Sequence, residues 1–303
     1  MVGPMLNALL VVMLPVFLVV AVGFVLARSF TIDQLSLNKV QLYALTPALA
    51  YSSIMRTTVQ IADVAQLAAG YFIVTIAAGG LAALVARLLP TAVRRGVIAS
   101  VMLGNNGNFG LPIALLALGQ PGLDQAIVIF MFAIAMLWTV GPALFGAALS
   151  TRGVLVSIMR LPVIWAMVLA VTLRMLDFEP PPGITTGVDM MGQASVPMIL
   201  IALGIQLGYA RRVLVNATVV TAVVLRLVIV PLMGWGIGLL VGLRGLELQS
   251  IVLALSMPTA VNVFLLALEF RQDAETVASV VAVSTVVSLV TISLVVANLP
   301  VLA

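Results

Sequence analysis

Long apolar runs alternate along the chain with short polar connections. Ten runs can be drawn, near 6–27, 35–55, 64–88, 97–119, 123–149, 161–178, 187–208, 213–240, 248–270 and 275–299. At about 17–28 residues each, every run is long enough to cross a ~30 Å hydrocarbon core as a helix. The connections, among them RTTVQIAD, PTAVRRG, QPG and STRG, are too short to hold a soluble domain. The pattern predicts an all-α polytopic membrane protein of ten transmembrane helices.

Composition agrees. Of 303 residues, 63% are hydrophobic and 8% charged, against roughly 25% charged in an ordinary soluble domain, and the mean hydropathy is +1.28. Cysteine and histidine are both absent. That removes disulfides, thiolate and imidazole metal sites, Cys or His nucleophile–base pairs and histidine proton relays. The spans hold no paired carboxylates and no G-x-S-x-G, so acid–base or nucleophilic chemistry has little to work with and no enzyme is expected. No cofactor is expected either. A net charge of +4 could suggest nucleic acid, but basic residues adjoin only at Arg94-Arg95 and Arg211-Arg212. No nucleic-acid partner is expected; the surroundings are lipid. The first run has full spanning length and no basic segment before it, which argues against a cleaved signal peptide.

Charge position sets orientation. The odd-numbered connections carry Arg28, Lys39, Arg87, Arg94, Arg95, Arg152, Arg160, Arg211, Arg212 and Arg271, and the even-numbered ones only Arg56, Arg174 and Arg244. Basic loops stay inside. Both termini are therefore expected outside, in a plasma or inner cell membrane.

The chain also resembles itself. YALTPALAYSSI in the second run places Pro47, and GQASVPMILIAL in the seventh places Pro197, 150 positions later. The fourth run is interrupted by GNNGNFGLP (104–112) and the ninth by SMPTAVN (256–262). A unit of five spans, 1–149, followed by a second, 150–303, must enter the membrane upside down the second time. Inverted repeats with matching broken helices mark alternating-access transporters.

Glycine costs about 1 kcal/mol in a helix relative to alanine, and an internal proline about 3. Three glycines and Pro112 argue against a continuous fourth helix. Opened backbone at membrane depth must face protein or water, and Asn105, Asn106 and Asn108 beside Gly104 supply amide donors and acceptors. The second half-helix is expected to begin near Leu111–Leu116, its free N–H groups and positive dipole end attracting an anion. In the ninth run Pro258, Thr259 and Asn262 form the matching equipment. A phosphate-binding glycine loop would need a preceding strand, and none fits here.

GNNGNFGLP with its following apolar run closely resembles the fourth-span signature of the auxin efflux carrier family, which includes plant auxin exporters and bacterial carboxylate carriers. LNKVQLYALTPAL before YSSI and LSMPTAVNVFLLALEF are similar to that family as well, and the likeness covers essentially the whole chain. It implies a fold of the bile-acid-symporter type. Helices 1, 2, 6 and 7 would form a scaffold beside a transport core of helices 3–5 and 8–10, with broken helices 4 and 9 crossing at the substrate. Asn105 falls on the family's substrate-contacting asparagine. Gly104 stands where plant members carry a crossing proline, which Pro258 retains.

Arg226 is the only charged residue well inside a run, with no acid at similar depth. It either binds a substrate carboxylate or caps the carbonyl end of a broken half-helix. Ser52 and Ser53, with Gln193 and Ser195, could face the crossing from the scaffold, although serines often bond their own helix. Glu269 and Asp273 read as solvated or paired with Arg271, and the methionines and tryptophans as packing and interface residues. The expectation is a secondary carrier of a small organic anion, a mono- or dicarboxylate. A channel or a non-transporting receptor on the same fold is the alternative. Sodium or a proton could be the coupling ion, and a homodimer is one arrangement open to the chain.

Overall fold

The computed structural model of the chain describes residues 8–56, 61–146, 153, 156, 159–209 and 213–302, which are overwhelmingly helical. Among the described residues, twelve helical arms are set out. They are α1 (8–29), α2 (34–56), α3 (Ile61–Ala86), α4 (Thr91–Met102), α5 (106–118) and α6 (120–144), then α7 (Pro162–Met175), α8 (Pro182–Tyr209), α9 (217–240), α10 (Gly245–Leu255), α11 (Val261–Glu269) and α12 (Ala274–Leu302). Among the described residues, six stretches are long and apolar enough to cross a membrane: Leu10–Ser29, Val64–Ala86, Asn106–Leu144, Pro182–Tyr209, Ala217–Leu240 and Ala274–Leu299. Within Asn106–Leu144, Gly119 adopts φ 69° and ψ −164°, conformations that only glycine takes up easily. The chain turns there, with Pro121 just beyond it, and α5 and α6 separate.

Four arms contain a widened turn: Ala8–Met13, Gln41–Leu45, Asn106–Gly110 and Leu225–Ile229. Each is followed two residues on by a proline, respectively Pro15, Pro47, Pro112 and Pro231. Proline has no N–H to return to the preceding turn, and its ring crowds the carbonyl four residues back. The backbone relieves both by lengthening its bonds to i→i+5. The expectation that Pro112 helps to break its helix is corrected accordingly: it widens a turn, and α5 resumes at Asn106 instead of near Leu111–Leu116.

The arms pack in two sets. α8 lies along α1 and against α2, which in turn packs on α7. Glycines allow the close approach of α1 and α8, since a Cβ on Gly23 would strike the Ile201 carbonyl and one on Gly204 the Val20 carbonyl. The other eight arms, α3–α6 and α9–α12, pack mainly on one another. Between the sets lies an apolar cluster in which Phe109, Ile113 and Ile127 meet Leu49, Ile199 and Leu203. The outward faces are greasy as well: Leu18 is 60% exposed and Val290 57%, which suits lipid contact and not water.

Candidate functional site: the crossed interruptions

Two gaps in the helices meet. Between α4 and α5 the chain is extended at 103–105, and between α10 and α11 it is open at 256–260. Gly104 and Thr259 pair as a two-residue antiparallel bridge. Asn105 N donates to Pro258 O at 2.7 Å and Ala260 N to Leu103 O at 2.9 Å. Each gap thus satisfies backbone groups of the other, which lipid could not do.

The carbonyl ends of the broken helices have their own partners. Arg226, 1% exposed, reaches from α9, where Nε donates to Met257 O at 2.7 Å and Nη1 to Val101 O at 2.9 Å. A cation is held against the negative ends of α4 and α10 together. Thr259 adds a hydroxyl bond to Ser100 O at 2.9 Å and receives support from α12, its N–H donating to Ser284 Oγ at 3.2 Å.

Asn105 organises the resumption of α5. Its side-chain oxygen accepts from Asn108 N at 3.1 Å, and its backbone oxygen takes Phe109 N and Gly110 N at 3.3 and 3.0 Å. That is an N-cap. With its oxygen so used, the Asn105 Nδ2 has no hydrogen-bond partner in the protein. Asn106, 3% exposed, donates to Tyr71 Oη at 3.2 Å.

A cavity of about 170 Å³ opens beside this crossing. Gly104 and Asn105 line it from the gap, Asn106, Gly107 and Asn108 from the start of α5, and Val261 and Asn262 from the start of α11. Two helix N-termini therefore border one space, where their dipoles both favour negative charge. Phe130 and Trp138 of α6 form an apolar wall, while Asn38, Gln41, Thr46 and Gln206 face it from α2 and α8. Gln41 donates to Thr46 Oγ1 and Ser195 Oγ at 2.9 and 2.7 Å, leaving its own oxygen without a partner.

The expected site residues are therefore sorted by place. Gly104, Asn105, Asn106, Asn108 and Asn262 share the cavity; Pro258 and Thr259 form the crossing next to it; Arg226 lies behind the crossing; Pro112 sits at the second position of the regular part of α5. Ser52 and Ser53 do not join them. They line a second cavity of about 260 Å³ with Arg56, Gln120, Asp189 and Gln193. Asn38, Gln41, Thr46 and Gln206 were not anticipated, although Asn38 and Gln41 lie three apart on one helix face, a visible polar signal in an apolar run. Asp124 was also missed. It is 8% exposed and accepts hydrogen bonds from Ser53 Oγ and Gln120 Nε2, a buried acid near the start of α6. Asp273 is a helix cap, accepting from Thr276 N and Oγ1 at 3.1 and 2.7 Å. Among the described residues no group of three His, Cys, Asp or Glu could hold a metal ion.

An all-helical, lipid-faced body with a polar cavity at two crossed helix breaks defines a membrane transport protein. Comparison with known proteins gives the same class. Residues 147–296 match the family model described as "Membrane transport protein". The chain is 30% identical over 296 residues to an "Uncharacterized transporter" of Methanothermobacter thermautotrophicus, covering 93% of this chain and 95% of the other. It is 28% identical over 306 residues, 92% of each chain, to a protein of Rhizobium meliloti whose name proposes malonate transport. An uncharacterized transporter of Methanocaldococcus jannaschii is 26% identical over 269 residues, with 85% and 87% covered. The chain belongs to the membrane transport protein family, that of the auxin efflux carriers; it is a multi-pass membrane transporter and not an enzyme.

Proposed function

We propose that the protein is a secondary active carrier of a small organic anion, a mono- or dicarboxylate such as malonate, bound in the cavity at the crossing. One observation carries this reading. Two helix N-termini border one space lined by Asn105, whose buried Nδ2 has no partner in the protein; these are the groups from which a carboxylate would draw hydrogen-bond donors without a cationic side chain. At about 170 Å³ the space is smaller than the ~300–1,000 Å³ of drug-sized pockets, which favours a small acid. Malonate is also the substrate in the name of one relative.

In this proposal the chain crosses the membrane ten times as two inverted five-helix repeats, 1–149 and 150–303, with both termini outside. α5 and α6 count as separate crossings with α4 completing the first, and α10 with α11 forms the ninth. The packing of α1, α2, α7 and α8 apart from the other arms supports a scaffold and a moving core. By the placement of basic loops, Asn38 and Gln206 lie near the inner ends of their helices, so the cavity faces inward. The two cavities share no lining residue, which supports a carrier over a channel. A sodium or proton gradient would supply the driving force.

The test is labelled malonate uptake by purified protein in liposomes, under an imposed sodium gradient, an imposed proton gradient, and neither. Saturable uptake with counter-transport is expected; flux that does not saturate and shows no exchange would point to a channel instead.

A further inference from the structure

Between the two sets of helices lie an apolar cluster and the two cavities, and one polar tie crosses from set to set. Among the described residues, a single hydrogen bond joins a helix of the first set (α1, α2, α7, α8) to a helix of the second: Ser53 Oγ of α2 donates to Asp124 Oδ1 of α6. Other bonds between helices stay inside a set. Gln41 with Ser195 and Arg174 with the Ile54 carbonyl lie in the first; Asn106 with Tyr71, Gln125 with Glu247 and Arg226 with the Val101 carbonyl lie in the second.

The tie sits at the end of α2 remote from Asn105. Asn38 and Gln41 of α2 border the first cavity, and Ser52 and Ser53 the second. α8 runs the opposite way, with Gln193 at the second cavity and Gln206 at the first. Sliding one set past the other would therefore open one cavity as it narrows the other.

Asp124 suits a bond that must break and re-form. The one ion pair among the described residues joins Arg56 to Asp189, so the Asp124 carboxylate leans on neutral donors: Ser53 from across the face and Gln120 Nε2 at 2.9 Å from its own helix. It also lies one turn into α6, near the end where the helix dipole favours a negative charge. When the sets part, Gln120 and the helix end stay with the carboxylate, and water in the widening cavity replaces Ser53. Opening then costs one hydrogen bond and strands no charge.

We propose that the Ser53–Asp124 hydrogen bond is the gate that keeps the second cavity cut off from the crossing, and that this cavity is the opposite mouth of the transport path. The inference rests on the alternating-access reading above.

The chain has no cysteine, so one introduced thiol reports one position. Leu49→Cys places it at the second cavity, where Leu49 is 8% exposed, and Leu42→Cys at the first. Each is labelled with a hydrophilic maleimide in purified, detergent-solubilised full-length protein, alone and combined with Ser53→Ala, Asp124→Ala or Asp124→Asn. Loss of a charge-assisted hydrogen bond moves a two-state balance by about tenfold. Ser53→Ala and Asp124→Ala should therefore speed labelling at 49 and slow it at 42, with a smaller change for Asp124→Asn, whose amide oxygen still accepts. Unchanged rates, or faster labelling at both positions, overturn the gate, the latter because it reports general loosening. Should Asp124→Ala fail to fold, Ser53→Ala and Asp124→Asn decide alone. Labelling needs no substrate, so a reciprocal shift without malonate flux would keep the gate and remove the carrier reading. Flux with unshifted labelling would do the reverse.

Discussion

Gly104 and Arg226, 122 positions apart, occupy one another's space: a Cβ on Gly104 would fall within the guanidinium of Arg226. The glycine is demanded by the arginine, because the cation must come this close to reach the ends of both broken helices. Gly104→Ala should displace the guanidinium from Met257 O and Val101 O and cost about 2 kcal/mol or more. Thermal unfolding in detergent measures it. Replacing Arg226 by Lys in the same chain should cost less than the sum of the two single changes, because the bonds it removes are already disturbed.

Arg226→Leu removes the cation outright and leaves two buried carbonyls unpaired. A loss of about 3 kcal/mol is expected, together with loss of transport, since the crossing itself comes apart. Guanidinium or alkylguanidinium compounds added to the variant should not restore a side chain packed at 1% exposure.

Tyr71→Phe tests the footing of Asn106. The phenol accepts from Asn106 Nδ2 at 3.2 Å, and its loss leaves that amide without its side-chain partner. The expected cost is about 1 kcal/mol, read as a lower unfolding temperature, with substrate affinity reduced less than in any Asn105 variant.

The connection between α1 and α2 gives a pH-dependent expectation. The Ser36 hydroxyl, and then the Leu35 N–H, donate to the Asp33 carboxylate and hold its pKa below the ordinary value. A carboxyl whose pKa is lower folded than unfolded stabilises above its unfolded value, and that contribution disappears as the pH falls through the folded one. Amide protection factors at the start of α2, with the intrinsic pH dependence of exchange divided out, should therefore hold at neutral pH and fall below the usual carboxylate range. Asp33→Ala should show the lower protection throughout.

Local chemistry made part of this legible from sequence. Glycines and prolines grouped with polar residues in an apolar run announce a disturbed helix, so both interruptions could be placed within a few residues. The start of α5 could not, because it depends on the Asn105 side chain turning back to cap Asn108, which lets Gly107 and Gly110 sit inside a wide turn instead of loose chain. That Arg226 reaches the carbonyl ends of both broken helices became visible only once Val101 and Met257, distant in sequence, were seen beside it. Asp124 stands at the very start of the fifth run, 123–149, and drew no reading of its own; it is buried with Ser53 of α2 against it, which a linear reading cannot bring alongside. Ser52 and Ser53 failed as neighbours of Asn105 for a simpler reason. They lie on the same helix as Asn38 and Gln41 but near its other end, and the distance along a helix separates two cavities.

The central claim is that the space bordered by Asn105 and the starts of α5 and α11 holds a carboxylate. Equilibrium binding of radiolabelled malonate to purified wild-type protein, and to Asn105→Ala and Asn105→Asp confirmed as folded, tests it most directly. Saturable binding by the wild type is expected, weakened at least about tenfold in Asn105→Ala, as loss of a hydrogen bond to a charged group implies, and further in Asn105→Asp, whose negative charge opposes the ligand. Malonate binding equally well to all three proteins would contradict the account.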